Sequence, residues 1–236
     1  MREAFRHTTP VGELDFVNLY VDLAPASDGP DKSWILLCTH YDTKRLPGEF
    51  VGANDGGSGT AVLLELARAL GRGPRGDIGY RLLFLDGEEA VNREWVDPDN
   101  RYGSRYHAAK LKESGHAARF KACVLLDMIG DKELKFDQEG YSDARLYATF
   151  SSAARELGLA EHISAKRGSE IIDDHLIFMN AGIRSVDLID FSFGPNNAWW
   201  HTLDDKLEHC SKESLDIVGR VVLRALPAVE KQIAGG

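Results

Sequence analysis

The chain has 236 residues, 43% of them hydrophobic, enough to close one sizeable core, so residues 1–236 are read as a single domain. A net charge of -9 argues against nucleic acid or an anionic membrane as the main partner. No stretch is long and apolar enough to span a bilayer. The three cysteines, Cys38, Cys123 and Cys210, are odd in number and far apart, without C-x-x-C spacing. Cys38 and Cys123 sit in apolar runs and are expected as buried free thiols. Residues 1–30 contain no apolar core of a signal peptide, and the compartment is left open.

The elements follow in chain order. Phe16 to Val21, after a Pro10-Val11-Gly12 turn, is expected in edge strands. Ile35 to Cys38 is an apolar run that reads as a buried strand and ends in Thr39-His40-Tyr41-Asp42. Val62, Leu63, Leu66 and Leu70 recur at helical spacing, giving a helix from Ser58 to Leu70 stopped by Gly71. Arg81 to Leu85 is a second strand. A helix over Gly103 to Lys112 and a third central strand over Ala122 to Asp127 come next. Asp143 to Leu157 is a long helix, and His175 to Asn180 a short one closed by Gly182. Ser185 to Ile189 is a strand, and Glu213 to Gln232 the last helix. Strand and helix alternating in this way imply a largely parallel sheet covered on both faces, with its site at the carboxyl ends of the strands.

Those strand ends carry ionisable residues. The first delivers His40 and Asp42, with Asp55 in the loop before the helix. The second delivers Asp86, Glu88 and Glu89, the third Asp127, and the last leads to His201. So many carboxylates gathered at one sheet edge repel each other unless a cation neutralises them. An Asp, Glu and His set with an open position suits catalytic zinc, although cobalt and manganese accept the same donors. In the pair Glu88-Glu89, one carboxylate can bind metal while its neighbour shuttles protons.

Ordinary structural roles compete for each residue. Asp55 could be a turn residue, Glu88 and Glu89 could favour a helix N-terminus, and His201 could be a satisfied polar side chain. Taken together, four such coincidences at strand ends are hard to sustain. Gly56-Gly57-Ser58-Gly59-Thr60 lacks the spacing of a nucleophile elbow and the G-K-[ST] of a phosphate loop. Its glycines are read as permitting a sharp turn beside Asp55.

Six segments in register resemble the M28 zinc peptidase superfamily, and within it the glutaminyl-peptide cyclotransferases. They are His40-Tyr41-Asp42-Thr43-Lys44, Gly52-Ala53-Asn54-Asp55, Asp86-Gly87-Glu88-Glu89-Ala90, Tyr102-Gly103-Ser104-Arg105, Asp173-Asp174-His175 and Trp200-His201-Thr202. The resemblance implies a three-layer α/β/α sandwich around a mixed, mostly parallel sheet, forming one catalytic domain. It implies zinc on Asp55, Glu89 and His201, with Glu88 as general acid and base. Asp127 and Asp173 would form a hydrogen-bonded pair of acids. Trp95, Trp200 and Lys44 would contact substrate, and His40 and Asp42 would serve a second metal or support the first. A cis peptide between Asp55 and Gly56 is implied as well. The reaction implied is closure of an N-terminal glutamine to pyroglutamate with release of ammonia, on peptide or protein N-termini. Neither nucleic acid nor membrane is expected as a partner, and a monomer is expected.

One zinc is expected for a cyclotransferase. The rival in the superfamily is an aminopeptidase with two zincs, the second on His40 and Asp127. A third reading is a catalytically silent peptide-binding domain. Asp86-Gly87 before the glutamates, Trp95 after them, the absence of asparagine at Leu125, and the additional acid at Asp173 favour the cyclotransferase. The chain departs from the pattern in the loop Gly194-Pro195-Asn196-Asn197-Ala198, where Phe193 stands nearest the expected phenylalanine. An inserted residue precedes Trp95. With no cysteine between Ala53 and Leu70, the disulfide of the animal enzymes is not expected.

Overall fold

The computed structural model describes every residue except 28, 30, 75 and 236. A hairpin of β1 (Arg2–Thr9) and β2 (Gly12–Leu23) leads into β3 (Trp34–His40), α1 (Gly57–Arg72), β4 (Gly79–Leu85), α2 (Tyr102–Glu113) and β5 (Phe120–Asp127). There follow β6 (Phe136–Gln138), α3 (Ala144–Glu156), β7 (Ile163–Arg167), α4 (Asp174–Asn180), β8 (Arg184–Ile189) and α5 (Lys212–Ala234). Six strands form one sheet in the order β1-β2-β4-β3-β5-β8. The four from β4 to β8 are parallel, and β1 and β2 are antiparallel.

The central strands are buried on both faces, which is why they read as unbroken apolar runs. Along β3, Ile35 and Leu37 enter one core with α1, α3 and α5, while Trp34, Leu36 and Cys38 enter another with α2 and α4. Residues 122–126 of β5 alternate in the same way. This period of two gives the three layers α/β/α. Cys38 and Cys123 are buried free thiols with sulfurs 3.5 Å apart.

Helix α1 lies close against the sheet because Gly59 has no side chain. A Cβ there would stand 2.1 Å from Thr39 Oγ1 and 2.5 Å from the Leu126 carbonyl. The sequence reading differs from the structure at three elements. α1 continues through Gly71 to Arg72 and is capped by Gly73, because an exposed glycine costs a helix only about 1 kcal/mol. β2, which holds Phe16 to Val21, lies inside the sheet between β1 and β4. The ribbon of β6 and β7 has no counterpart among the expected elements.

Candidate metal and catalytic site

Register brings the strand ends level. His40 pairs with Leu85, Cys38 with Leu125 and Asp127 with Ile189, so His40 and Asp127 finish side by side. The switch in strand order, where β3 crosses to β4 and β5 leads towards β8, lies between them.

His40 Nε2 lies 3.0 Å from Asp127 Oδ1 and 3.2 Å from Asp55 Oδ1. On the far side of Asp55, His201 Nε2 lies 3.3 Å from Asp55 Oδ2 and 3.0 Å from Glu89 Oε1. Two donor triads therefore share Asp55: His40, Asp55 and Asp127, and Asp55, Glu89 and His201. The histidine–carboxylate distances in both, 3.0–3.3 Å, are close to what a metal requires. A tetrahedral ion with bonds of about 2.0–2.1 Å sets its ligand atoms about 3.3 Å apart. Asp55 Oδ2 and Glu89 Oε2 are buried and accept no well-formed hydrogen bond, a costly state for carboxylate oxygens that a cation relieves.

Protons carry the positive charge in this nest of acids. Burial would lower the His40 imidazole, but Asp127, Asp42 and Asp55 hold it well above its ordinary range. Burial likewise opposes, and Asp55 and Glu89 outweigh it, in raising His201 to about 9. Against burial, the same two histidines lower Asp55. Metal binding at either triad would displace such protons.

Glu88 stands apart. It is 5% exposed, its carboxyl takes no hydrogen bond from any described residue, and it faces the cleft. Burial pushes it well above the carboxylate range, with the charges of Asp173 and Glu89 adding to the shift. Asp127 is pushed by burial up to about 7 although His40 pulls the other way.

Two buttresses fix these acids from behind. Asp42 accepts from the backbone N–H groups of Glu88 and Glu89 at 3.1 and 3.2 Å. Asp205, fully buried, accepts from those of Asn54 and Asp55 at 2.8 and 3.0 Å. Asp42 thereby braces the backbone that carries Glu88 and Glu89. Lys44 does not reach the cleft. Its ammonium donates to the carbonyls of Ala90 and Asn92 and lies 3.6 Å from Glu89 Oε2, bracing the acidic loop. A buried lysine needs such partners, and this replaces the substrate contact expected of it.

The remaining expected residues meet in one cleft of about 220 Å³. Asp55, Glu88, Glu89, Trp95, Asp127, Asp173, Trp200 and His201 line it, with Ile171, Ile172, Ile189 and Phe191 added by the structure. The Trp95 indole N–H is buried without a partner among the described residues. Trp200 stacks on His201 at 4.0 Å and meets the edge of Phe191 at 4.9 Å. His201 itself holds φ at 53°, a strained backbone of the kind found at functional positions.

Three further expectations are corrected. The Asp55–Gly56 bond is trans and Gly56 makes the turn with φ at 89°; among the described residues the cis bond is Asp97–Pro98. Asp127 bonds to His40 rather than to Asp173, whose Oδ1 accepts from the N–H of Asp174. Phe193 is fully buried against Trp199, and Phe191 supplies the aromatic wall.

A family model described as Peptidase family M28 matches residues 18–226. The chain belongs to peptidase family M28. Among M28 relatives, it is 32% identical over 253 residues to a glutaminyl-peptide cyclotransferase of Bos taurus, covering 93% of this chain and 68% of that one. The crystal structure of an Acidobacteriales bacterium glutaminyl cyclase superposes with a TM-score of 0.92 and 34% identity, over 98% of this chain and 80% of that one. A Zn-dependent exopeptidase from Parabacteroides distasonis superposes with a TM-score of 0.80 and 26% identity, over 94% and 82%. The M28 fold thus accounts for the three layers.

Proposed function

We propose that this chain is a zinc-dependent glutaminyl-peptide cyclotransferase that works as a monomer, with residues 1–236 as one catalytic domain. The observation that carries the reading is Glu88, a buried carboxyl without a hydrogen-bond partner among the described residues, set in an aromatic-walled cleft beside the Asp55, Glu89 and His201 triad. The likeness to the Bos taurus cyclotransferase supports the choice of reaction.

Asp55, Glu89 and His201 would hold one zinc, which would supply the Lewis acidity that polarises the γ-amide carbonyl of an N-terminal glutamine. The peptide's own α-amine is the nucleophile, and confinement in the cleft makes ring closure an oriented intramolecular step. The amine nitrogen bonds to the γ-amide carbon, and the bond from that carbon to the amide nitrogen breaks. Glu88 takes the proton released by the amine and delivers it to the departing nitrogen, which leaves as ammonia. When ionised, a buried carboxylate of raised proton affinity takes up the amine's proton more readily than an ordinary one. Asp173 lies on the same cleft and would orient the leaving nitrogen, while Trp95, Trp200 and Phe191 would exclude the water that gives hydrolysis instead.

The two triads around Asp55 also fit an aminopeptidase that places a second zinc on His40 and Asp127. Substitution separates the roles. Glu88→Gln is expected to lower ammonia release from a glutamine-started peptide about 100-fold or more while keeping the metal. Glu89→Ala is expected to lose the metal. A Glu88→Gln protein with most of its rate would remove Glu88 from the mechanism.

A further inference from the structure

A second cavity, of about 430 Å³, lies on the other side of the cleft wall. Ile171, Ile189 and Phe191 line both spaces, so only the thickness of these side chains separates them. The cavity is walled by the ribbon of β6 and β7 and by the backbone that follows β8. The reaction described above uses none of it.

Its charges are unevenly committed. Asp190 is 2% exposed and accepts from the backbone N–H groups of Lys135 and Ser192. Asp137 has Lys166 at 3.6 Å. Glu139 is buried, its oxygens taken by the N–H groups of Tyr141, Ser142 and Ile171. Arg167 donates to the Gly140 carbonyl and lies 3.3 Å from Glu170. The exposed ammonium of Lys135 has no partner among the described residues, in a chain whose net charge is -9. Lys166 and Arg167 stand within ion-pair distance of Asp137 and Glu170, so among the described residues Lys135 is the lining cation left to meet an anionic guest.

A peptide held by its first residue must send its following residues out of the cleft. An extended residue advances about 3.3–3.6 Å, so the third or fourth can pass a wall one side chain thick. Resting on the cyclotransferase reading, we propose that the cavity beside Lys135 is a subsite for downstream residues of the substrate and prefers a glutamate or aspartate at the third position. The subsite sets which N-termini are processed fastest and leaves the chemistry at the first residue unchanged.

The test compares two amidated peptides, Gln-Ala-Glu-Ala and Gln-Ala-Lys-Ala, with glutamine amide as a substrate too short to reach the cavity. The zinc-loaded protein is expected to favour the glutamate peptide about two- to five-fold in kcat/KM, the range of one exposed ion pair, through KM. Lys135→Ala is expected to abolish the preference and Lys135→Glu to reverse it, with glutamine amide unaffected. Equal rates for the two peptides, or a preference that survives Lys135→Glu, overturns the subsite. If glutamine amide yields no ammonia, it is the cyclotransferase reading that falls. Calorimetric titration with the same two peptides then decides the subsite: tighter binding of the glutamate peptide supports it, and equal Kd values overturn it.

Discussion

Asp205 makes the sharpest prediction, because it touches no substrate and yet fixes a proposed zinc ligand. Its two oxygens accept from the N–H groups of Asn54 and Asp55 at 2.8 and 3.0 Å, and the residue is fully buried. Asp205→Ala removes both acceptors and leaves two donors without partners. Each such donor costs about 1–3 kcal/mol, which gives about 2–6 kcal/mol in total. Burial already raises the Asp205 carboxyl above its ordinary value, so part of the benefit of its charge is offset and the lower half of that range applies. Urea unfolding reads the loss directly. With a slope of about 3 kcal/mol per molar, a loss of about 3 kcal/mol moves the midpoint down by about 1 M. Metal content after dialysis gives the second reading, since a displaced Asp55 weakens the triad. Asp205→Asn keeps one acceptor and is expected to fall about midway. An alanine variant with an unchanged midpoint and full metal content would refute the buttress.

The remaining predictions concern the fold and its response to pH. Gly59→Ala is expected to destabilise by about 1–3 kcal/mol in urea, because its Cβ would meet Thr39 Oγ1 and the Leu126 carbonyl. Glu139 is held down to about 2: burial raises it, but His175 and the N–H groups of Ile171 and Tyr141 outweigh that. Its folded value lies below the ordinary 4.5, so its stabilisation is complete above pH 4.5 and is lost as the pH falls through about 2. The urea midpoint of Glu139→Gln should therefore change less than wild type between pH 5 and pH 3; parallel curves would contradict this.

The parts of the fold that sequence reading recovers are those whose burial is periodic. Ile35 to Cys38 and Ala122 to Asp127 are apolar throughout because both their faces are covered, and the acids that follow them fall at strand ends. The gathering of His40, Asp55, Glu88, Glu89, Asp127 and His201 at one end of the sheet was legible from the strand ends and the loops that follow them. The parts that escape are those whose partners are remote in sequence. Asp205 bonds to backbone about 150 residues away, and nothing local distinguishes it from its neighbour Asp204. Lys44 looks like a substrate contact in its motif, and only the fold brings the Ala90 and Asn92 carbonyls to its ammonium. Phe191 and Phe193 are two apart on an irregular segment, where periodicity cannot say which one faces the cleft. β6 has three residues, too few for any period to emerge.

The central claim is that Asp55, Glu89 and His201 serve one zinc and that Glu88 serves ring closure. Mass spectrometry of a glutamine-started peptide, incubated with protein of measured metal content, tests it most directly. The account predicts loss of ammonia from an otherwise intact peptide at one zinc per chain. Release of free glutamine at two zincs per chain would contradict it, and would make His40 and Asp127 ligands of the second ion.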